Sequence, residues 1–431
     1  MKFALSIVVV LYAMGCASQP TVAGRPWVDF AADFATTYQS LELPPLRLGY
    51  ATNLGLMQSA PQLENQRRVF ETWLNELTTH SIHSLTERQR LDYELIRYES
   101  QLNLERIELG LRWQARAKKG IPSDGLASTP MGKEWYLYFF KRWLDTNVTP
   151  EEIFALGERE VARVESEIEK IRVASGLSEP EFRVRLSEPA FFYDSPEQVR
   201  RAFEAAQYSI LKKLPAYFPY VDSVGPAKIV RGTDEALAQT PAYYRDRSLN
   251  FNYFDAPFNR RKIYWIYLHE ALPGHHYQLS LANNLEQSDI QKLFRYSVFG
   301  EGWGAYVEDL GVEVGLYDDV FSEIGKWEWD LIRSIRLVLD VGLNYYQWSD
   351  DKAMAYWKQH IDDQDDIGLR EIARVKRWPV QVITYKYGAE QFNRLKREAQ
   401  VREGFSFVEF HKELMAVVPV PFSLLNRVGS D

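Results

Sequence analysis

The sequence predicts a mainly α-helical fold, with one or two short strands just before residue 268. Three observations carry that prediction. Most segments after Trp27 place apolar residues at three- and four-residue spacing, two proline-bearing capping signals open helices, and a non-helical period is confined to residues 226–267. With 431 residues and 46% apolar content, the chain can bury a large core. At ~150 residues per domain it has room for two or three lobes, or for one large helical unit.

The N-terminal stretch MKFALSIVVVLYAMGC has one early lysine, Lys2, and an apolar run from Phe3 to Met14. That run is shorter than the roughly 20 residues a membrane span needs, so residues 1–15 are expected to be a secretory signal. Ala13-Met14-Gly15-Cys16 resembles a bacterial lipobox, in which Cys16 would be acylated and become the first mature residue. Several acyl chains would hold the protein at a membrane face in the cell envelope, outside the cytoplasm. Residues 16–26 read as a polar tether and 27–431 as the folded body, either one helical domain or two lobes meeting near 225/226.

Loss of residues 1–15 removes Lys2 and leaves 50 basic against 59 acidic residues, a net charge of about −9. That balance argues against a nucleic-acid partner. Cys16 is the only cysteine, so no disulfide can form within the chain.

Residues 85–112 mix apolar and charged residues with no glycine or proline before Gly110, which predicts a long amphipathic helix. Thr149-Pro150-Glu151-Glu152 is a capping box; the helix after it sets Ile153, Gly157, Val161, Val164, Ile168 and Ile171 on one face. Ser195-Pro196-Glu197-Gln198 repeats the signal and opens a helix to about Leu214. Between 226 and 267, PAKIVRG and LNFNYFDAPF are aromatic or β-branched and separated by turn residues, as short strands are. The 14% aromatic content, spread over many helices, is read as packing.

Chemistry concentrates in HEALPGHH, residues 269–276, which holds three of the seven histidines beside Glu270. Histidines at i and i+4 of a helix clamp one zinc because they stand about 40° and one turn apart. Here position i+4 from His269 is Pro273. His275 would point about 240° away and His276, on the right face, would lie about 10.5 Å along the axis. Pro273 and Gly274 favour a bulge or break that returns one of the two histidines to His269. A third ligand is needed; similar to helical metallopeptidases, which take a glutamate from a second helix some 20 to 30 residues on, FGEGWGAYVEDLG places Glu301 at the start of a helical pattern 25 residues after His276. Gly300 and Gly302 flank it and permit close approach of a backbone or substrate.

HEALPGHH, EGWGAYVE, RLVLDVGLNYYQW and RVKRWPVQVITYKYG follow one another in an order and spacing similar to the DUF885 family, over at least residues 149–388. That family resembles the helical gluzincin metallopeptidases, which implies a bilobal helical bundle with a deep cleft and one zinc ion. The resemblance implies His269, one of His275 or His276, and Glu301 as ligands. Gly274 before His275 favours His275, leaving His276 to support a ligand or face substrate, and the two roles can be exchanged. It implies Glu270 as general base and Tyr385 as oxyanion donor, with a core tyrosine as the plainer reading of Tyr385. Arg336 and Asp340, one turn apart, are expected to form an ion pair bracing the site or to orient a ligand histidine, unless they are an ordinary helix pair.

Two positions depart from the family. Pro379-Val380-Gln381-Val382 stands where PGQA is common, and Asn344 where histidine is common; both segments are expected beside the cleft, so substrate choice or turnover can differ. The expected function is that of a lipid-anchored zinc peptidase acting on short peptides. A zinc hydrolase of a non-peptide amide and a catalytically weak binding lipoprotein are the alternatives.

Overall fold

The structure is a computed structural model that describes residues 25–116, 120–238, 240–254 and 257–428. The signal segment 1–15, Cys16 and all but the last two residues of the tether lie outside the described residues. The rest is a multi-helix, mainly α fold. Among the described residues no helix is long and apolar enough to cross a membrane.

The capping signals act where the sequence places them. Thr86 opens the 28-residue helix Glu87–Gln114 through a reciprocal pair, its side chain accepting from the Gln89 N–H while Gln89 Oε1 accepts from the Thr86 N–H at 3.0 Å. Thr149 and Glu152 do the same at the start of Pro150–Ser175, and the Ser195 side chain accepts from the Gln198 N–H ahead of Pro196–Lys213. Each cap satisfies backbone donors that a helix start leaves open.

Two apolar clusters form the interior. The smaller joins Phe30, Phe34, Phe70, Trp73, Leu95 and Ile107 to Ile290, Phe294 and Val420; the larger runs from Tyr50 to Phe422. Both draw on residues from either side of position 225. At the centre of the larger lies helix Val320–Asn344, buried almost throughout although it carries Lys326, Asp330, Arg333, Arg336 and Asp340. Buried charges persist only when partnered. Lys326 pairs with Asp309 and Asp330, and Lys386 bridges Asp330 and Glu160 at 2.6 and 2.7 Å.

Sequence patterning predicts one or two strands before the histidine segment, and the structure has more. Lys228–Arg231 runs parallel to Ser248–Phe251, which pairs antiparallel with Ala242–Arg245, and Phe258–Asn259 pairs with Phe192–Tyr193. The hairpin turn Asp246-Arg247 holds both residues at positive φ, 51° and 58°. That is the hairpin geometry Asn-Gly normally signals, and Asp-Arg hides it from a sequence reading.

Helices Ser297–Glu313 and Ile383–Gln400 meet at Gly302 and Gly388, where a Cβ on Gly388 would stand 2.4 Å from the Val298 carbonyl and 2.5 Å from the Gly302 Cα. The close approach answers for Gly302, and it brings Tyr385 beside the residues around Glu301. Gly388→Ala is expected to push the helices apart and destabilise the fold by about 1–3 kcal/mol or more; an unchanged thermal unfolding midpoint would contradict this packing.

Candidate metal centre

Helix Ile263–Glu270 ends at Glu270, and a second helix, His275–Ala282, starts after four intervening residues. The link passes through a cis Leu272–Pro273 peptide and Gly274, whose Cβ, if present, would lie 1.9 Å from the His269 carbonyl oxygen. Only glycine fits this fold-back. Trp303 pins the link by donating to the Pro273 carbonyl at 2.8 Å.

The fold-back turns His275 toward His269, with ring centroids 4.7 Å apart. Glu301 completes the group: its Oε2 stands 3.5 Å from His269 Nε2 and 3.5 Å from His275 Nε2. Ligand atoms about 2.0–2.1 Å from a tetrahedral zinc stand about 3.3 Å from each other. Two imidazole nitrogens and one carboxylate oxygen, all within 4.8 Å of one another, therefore fit a single ion with little adjustment. His275 and Glu301 keep 17% and 26% side-chain exposure, so the triad is reachable from solvent.

His269 is fixed from behind. Its Nδ1 lies 2.6 Å from Glu308 Oε1, and the other oxygen of Glu308 accepts from Arg333 at 2.7 Å. A carboxylate at Nδ1 holds a proton there, so Nε2 is the nitrogen turned to the triad and the one a metal would take, the arrangement that orients metal-binding histidines. Gly304 makes room for the ring, since a Cβ there would come within 2.5 Å of His269 Cε1. Sequence reading missed both Glu308 and Arg333. The signal for Glu308 was present: seven residues after Glu301, it falls about 20° round the helix from it.

Charge favours a cation here. Glu270, Glu301 and Glu308 all act on the His269 imidazole, and of the three only Glu308 is paired with a guanidinium, that of Arg333. Burial lowers the His269 pKa, but hydrogen bonds to Glu301 and Glu308 outweigh it and push it up to about 9. Burial alone would raise Glu301, yet the two imidazoles hold its carboxyl well below the usual range. Glu270 is half-buried next to the triad, and burial pushes its pKa up against the pull of His269 and His275. Tyr385 lays its ring along His269, 6.1 Å between centroids at 27°, and its hydroxyl accepts from Gln381 Nε2 at 3.4 Å.

Other expected residues are placed elsewhere. His276 does not reach the triad: it is buried, Nδ1 accepts from the Tyr244 hydroxyl at 3.0 Å, and Nε2 donates to the Gly225 carbonyl at 3.2 Å. With both ring nitrogens engaged, it neither substitutes for His275 nor faces substrate, because consecutive residues of a helix diverge by about 100°. The Arg336–Asp340 ion pair does not form. Arg336 makes a bidentate pair with Glu371 at 2.6 and 2.7 Å, and it is Glu308 that orients the histidine. Asp340 instead accepts from the Tyr136 hydroxyl at 2.9 Å and the Val380 N–H at 2.8 Å, and burial pushes its pKa up to about 7. Asn344 donates to the carbonyls of Asp340 and Val375 and so braces two helices. Gln381 accepts from Arg374 at 3.0 Å and holds Tyr385. Val380 sits at φ 72°, a left-handed conformation that costs a β-branched residue about 1–2 kcal/mol.

The fold and these residues define a helical protein with a His-His-Glu donor set. Its family follows from comparison: the DUF885 family, described as "Bacterial protein of unknown function", matches residues 111–428, and the chain belongs to it. Two solved structures are similar to it in fold. "The putative lipoprotein from Colwellia psychrerythraea" is 23% identical, with a TM-score of 0.64 over 93% of this chain and 74% of that one. "A putative lipoprotein of unknown function from Shewanella oneidensis" is 13% identical, with a TM-score of 0.72 over 94% of this chain and 100% of that one. Among curated proteins, none matches this chain.

Proposed function

We propose that the protein is a zinc-dependent peptidase of short peptides, lipid-anchored through Cys16 in the bacterial cell envelope. The observation that carries the reading is the donor set His269, His275 and Glu301, with both nitrogens 3.5 Å from one carboxylate oxygen and a carboxylate, Glu270, next in sequence to a ligand and without an ion pair among the described residues. Three protein ligands leave a tetrahedral ion one open position, which distinguishes catalytic from structural zinc. Bound there, zinc supplies Lewis acidity, lowering the pKa of a coordinated water toward about 7 and polarising a carbonyl oxygen.

The chain's own groups supply the rest. Glu270 takes the proton of the attacking water and returns it to the departing nitrogen. The Tyr385 phenol, kept protonated by burial and the nearby Glu301 charge, donates a hydrogen bond to the oxygen that gains charge. Glu308 and Arg333 hold the His269 imidazole in one tautomer. The anchor is supported by the AMGC segment ending at Cys16 and by the description of both structural relatives as lipoproteins.

The test is hydrolysis of a mixture of short peptides by protein lacking residues 1–16, followed by mass spectrometry. Cleavage is expected to stop on chelation and to return with about one equivalent of zinc. Folded, zinc-loaded protein that cleaves none of them would overturn the reading.

A further inference from the structure

Helix Asp365–Arg377 carries Arg374, which reaches the site through Gln381 and Tyr385. Its Nη2 donates to Gln381 Oε1 at 3.0 Å, and the Tyr385 hydroxyl lies beside it. Gln381 thus holds both side chains at once. Among the described residues, Arg374 has no carboxylate partner within ion-pairing distance. The nearest candidate, Glu371, is already taken by both nitrogens of the Arg336 fork. The Arg374 Nε is buried and unpartnered, while the residue as a whole keeps partial exposure. Burial and the neighbouring Arg336 charge both disfavour its cationic form. The Arg374 guanidinium, 5.6 Å from the Trp378 ring centroid and hydrogen-bonded to Gln381, keeps a donor free for a carboxylate, the group its fork matches.

We infer that Arg374, oriented by Gln381 beside Tyr385, receives the C-terminal carboxylate of the substrate, so that the enzyme removes single residues from the carboxyl end of short peptides. The inference rests on the peptidase reading for its chemistry but on Arg374 for its specificity. Reach is consistent: the terminal carboxylate carbon of a peptide lies three bonds, at most ~3.8 Å, beyond the last amide carbonyl carbon. A carboxylate on Arg374 therefore leaves that amide next to Tyr385, whose ring borders His269. Water adds across this last bond, its oxygen to the acyl carbon and its proton to the departing nitrogen, releasing one free amino acid.

The experiment compares N-acetyl-Ala-Phe with its C-terminal amide by calorimetry on the zinc-loaded full chain carrying Glu270→Gln to block turnover. The free acid is expected to bind about 10- to 100-fold more tightly than the amide, as a charge-assisted pair requires. With Arg374→Ala added that preference should collapse toward equality, and with Arg374→Lys it should be partly kept. A uniform loss for both ligands would mean that Arg374 only positions Tyr385 and would overturn the inference, as would equal binding of acid and amide before mutation. Product analysis with unmutated Glu270 separates the two readings. A carboxylate preference without hydrolysis leaves the subsite standing and removes the peptidase; internal cleavage without preference does the reverse.

Discussion

Glu270→Gln should leave zinc bound at about one equivalent per chain and lower kcat by about 10²–10⁴-fold, the usual worth of a positioned general base. The glutamine keeps the shape of a side chain that makes no ion pair among the described residues, so the fold should not suffer. Glu270 follows His269 directly at the helix end, close enough to feel the charges of His269, His275 and Glu301 without being one of the triad's three members. Steady-state kinetics beside zinc analysis checks the prediction. Loss of zinc together with activity would make Glu270 a ligand, and unchanged kcat would remove it from the chemistry.

Glu308→Ala should act on binding and stability at once. The carboxylate is fully buried between His269 and Arg333. Its removal leaves the Arg333 charge without its partner, a loss of about 3–5 kcal/mol for a broken buried pair. It also frees the His269 ring, and loss of such an outer partner weakens metal binding by about 10–100-fold. Chelator competition and denaturant unfolding measure the two effects. Glu308→Gln, which can still accept from Nδ1–H, should recover part of the zinc affinity while leaving Arg333 unneutralised. Unchanged affinity in the alanine variant would show that His269 needs no support.

Much of the helical framework was legible because it depends on neighbours in sequence: Thr86, Thr149 and Ser195 cap the helices they precede. The break at Pro273-Gly274 was legible for the same reason. Which histidine turns toward Glu301 was not, since it depends on how Ala271 and Gly274 fold back, with ψ of −111° and −134°. Arg336 was singled out and Arg333 overlooked, although both lie on the buried helix Val320–Asn344. Their roles are set by partners distant in sequence, Glu371 for one and Glu308 for the other. Val380 shows a similar limit: a valine at φ 72° reads as ordinary sequence, yet its N–H reaches the buried Asp340.

The most direct test of the central claim is zinc stoichiometry by elemental analysis on the parent and on His269→Ala, His275→Ala, His276→Ala and Glu301→Ala. Near one zinc per chain is predicted for the parent and for His276→Ala, with loss in the other three. A folded parent that stays metal-free after zinc is supplied, or zinc lost with His276 and kept without His275, would contradict the site.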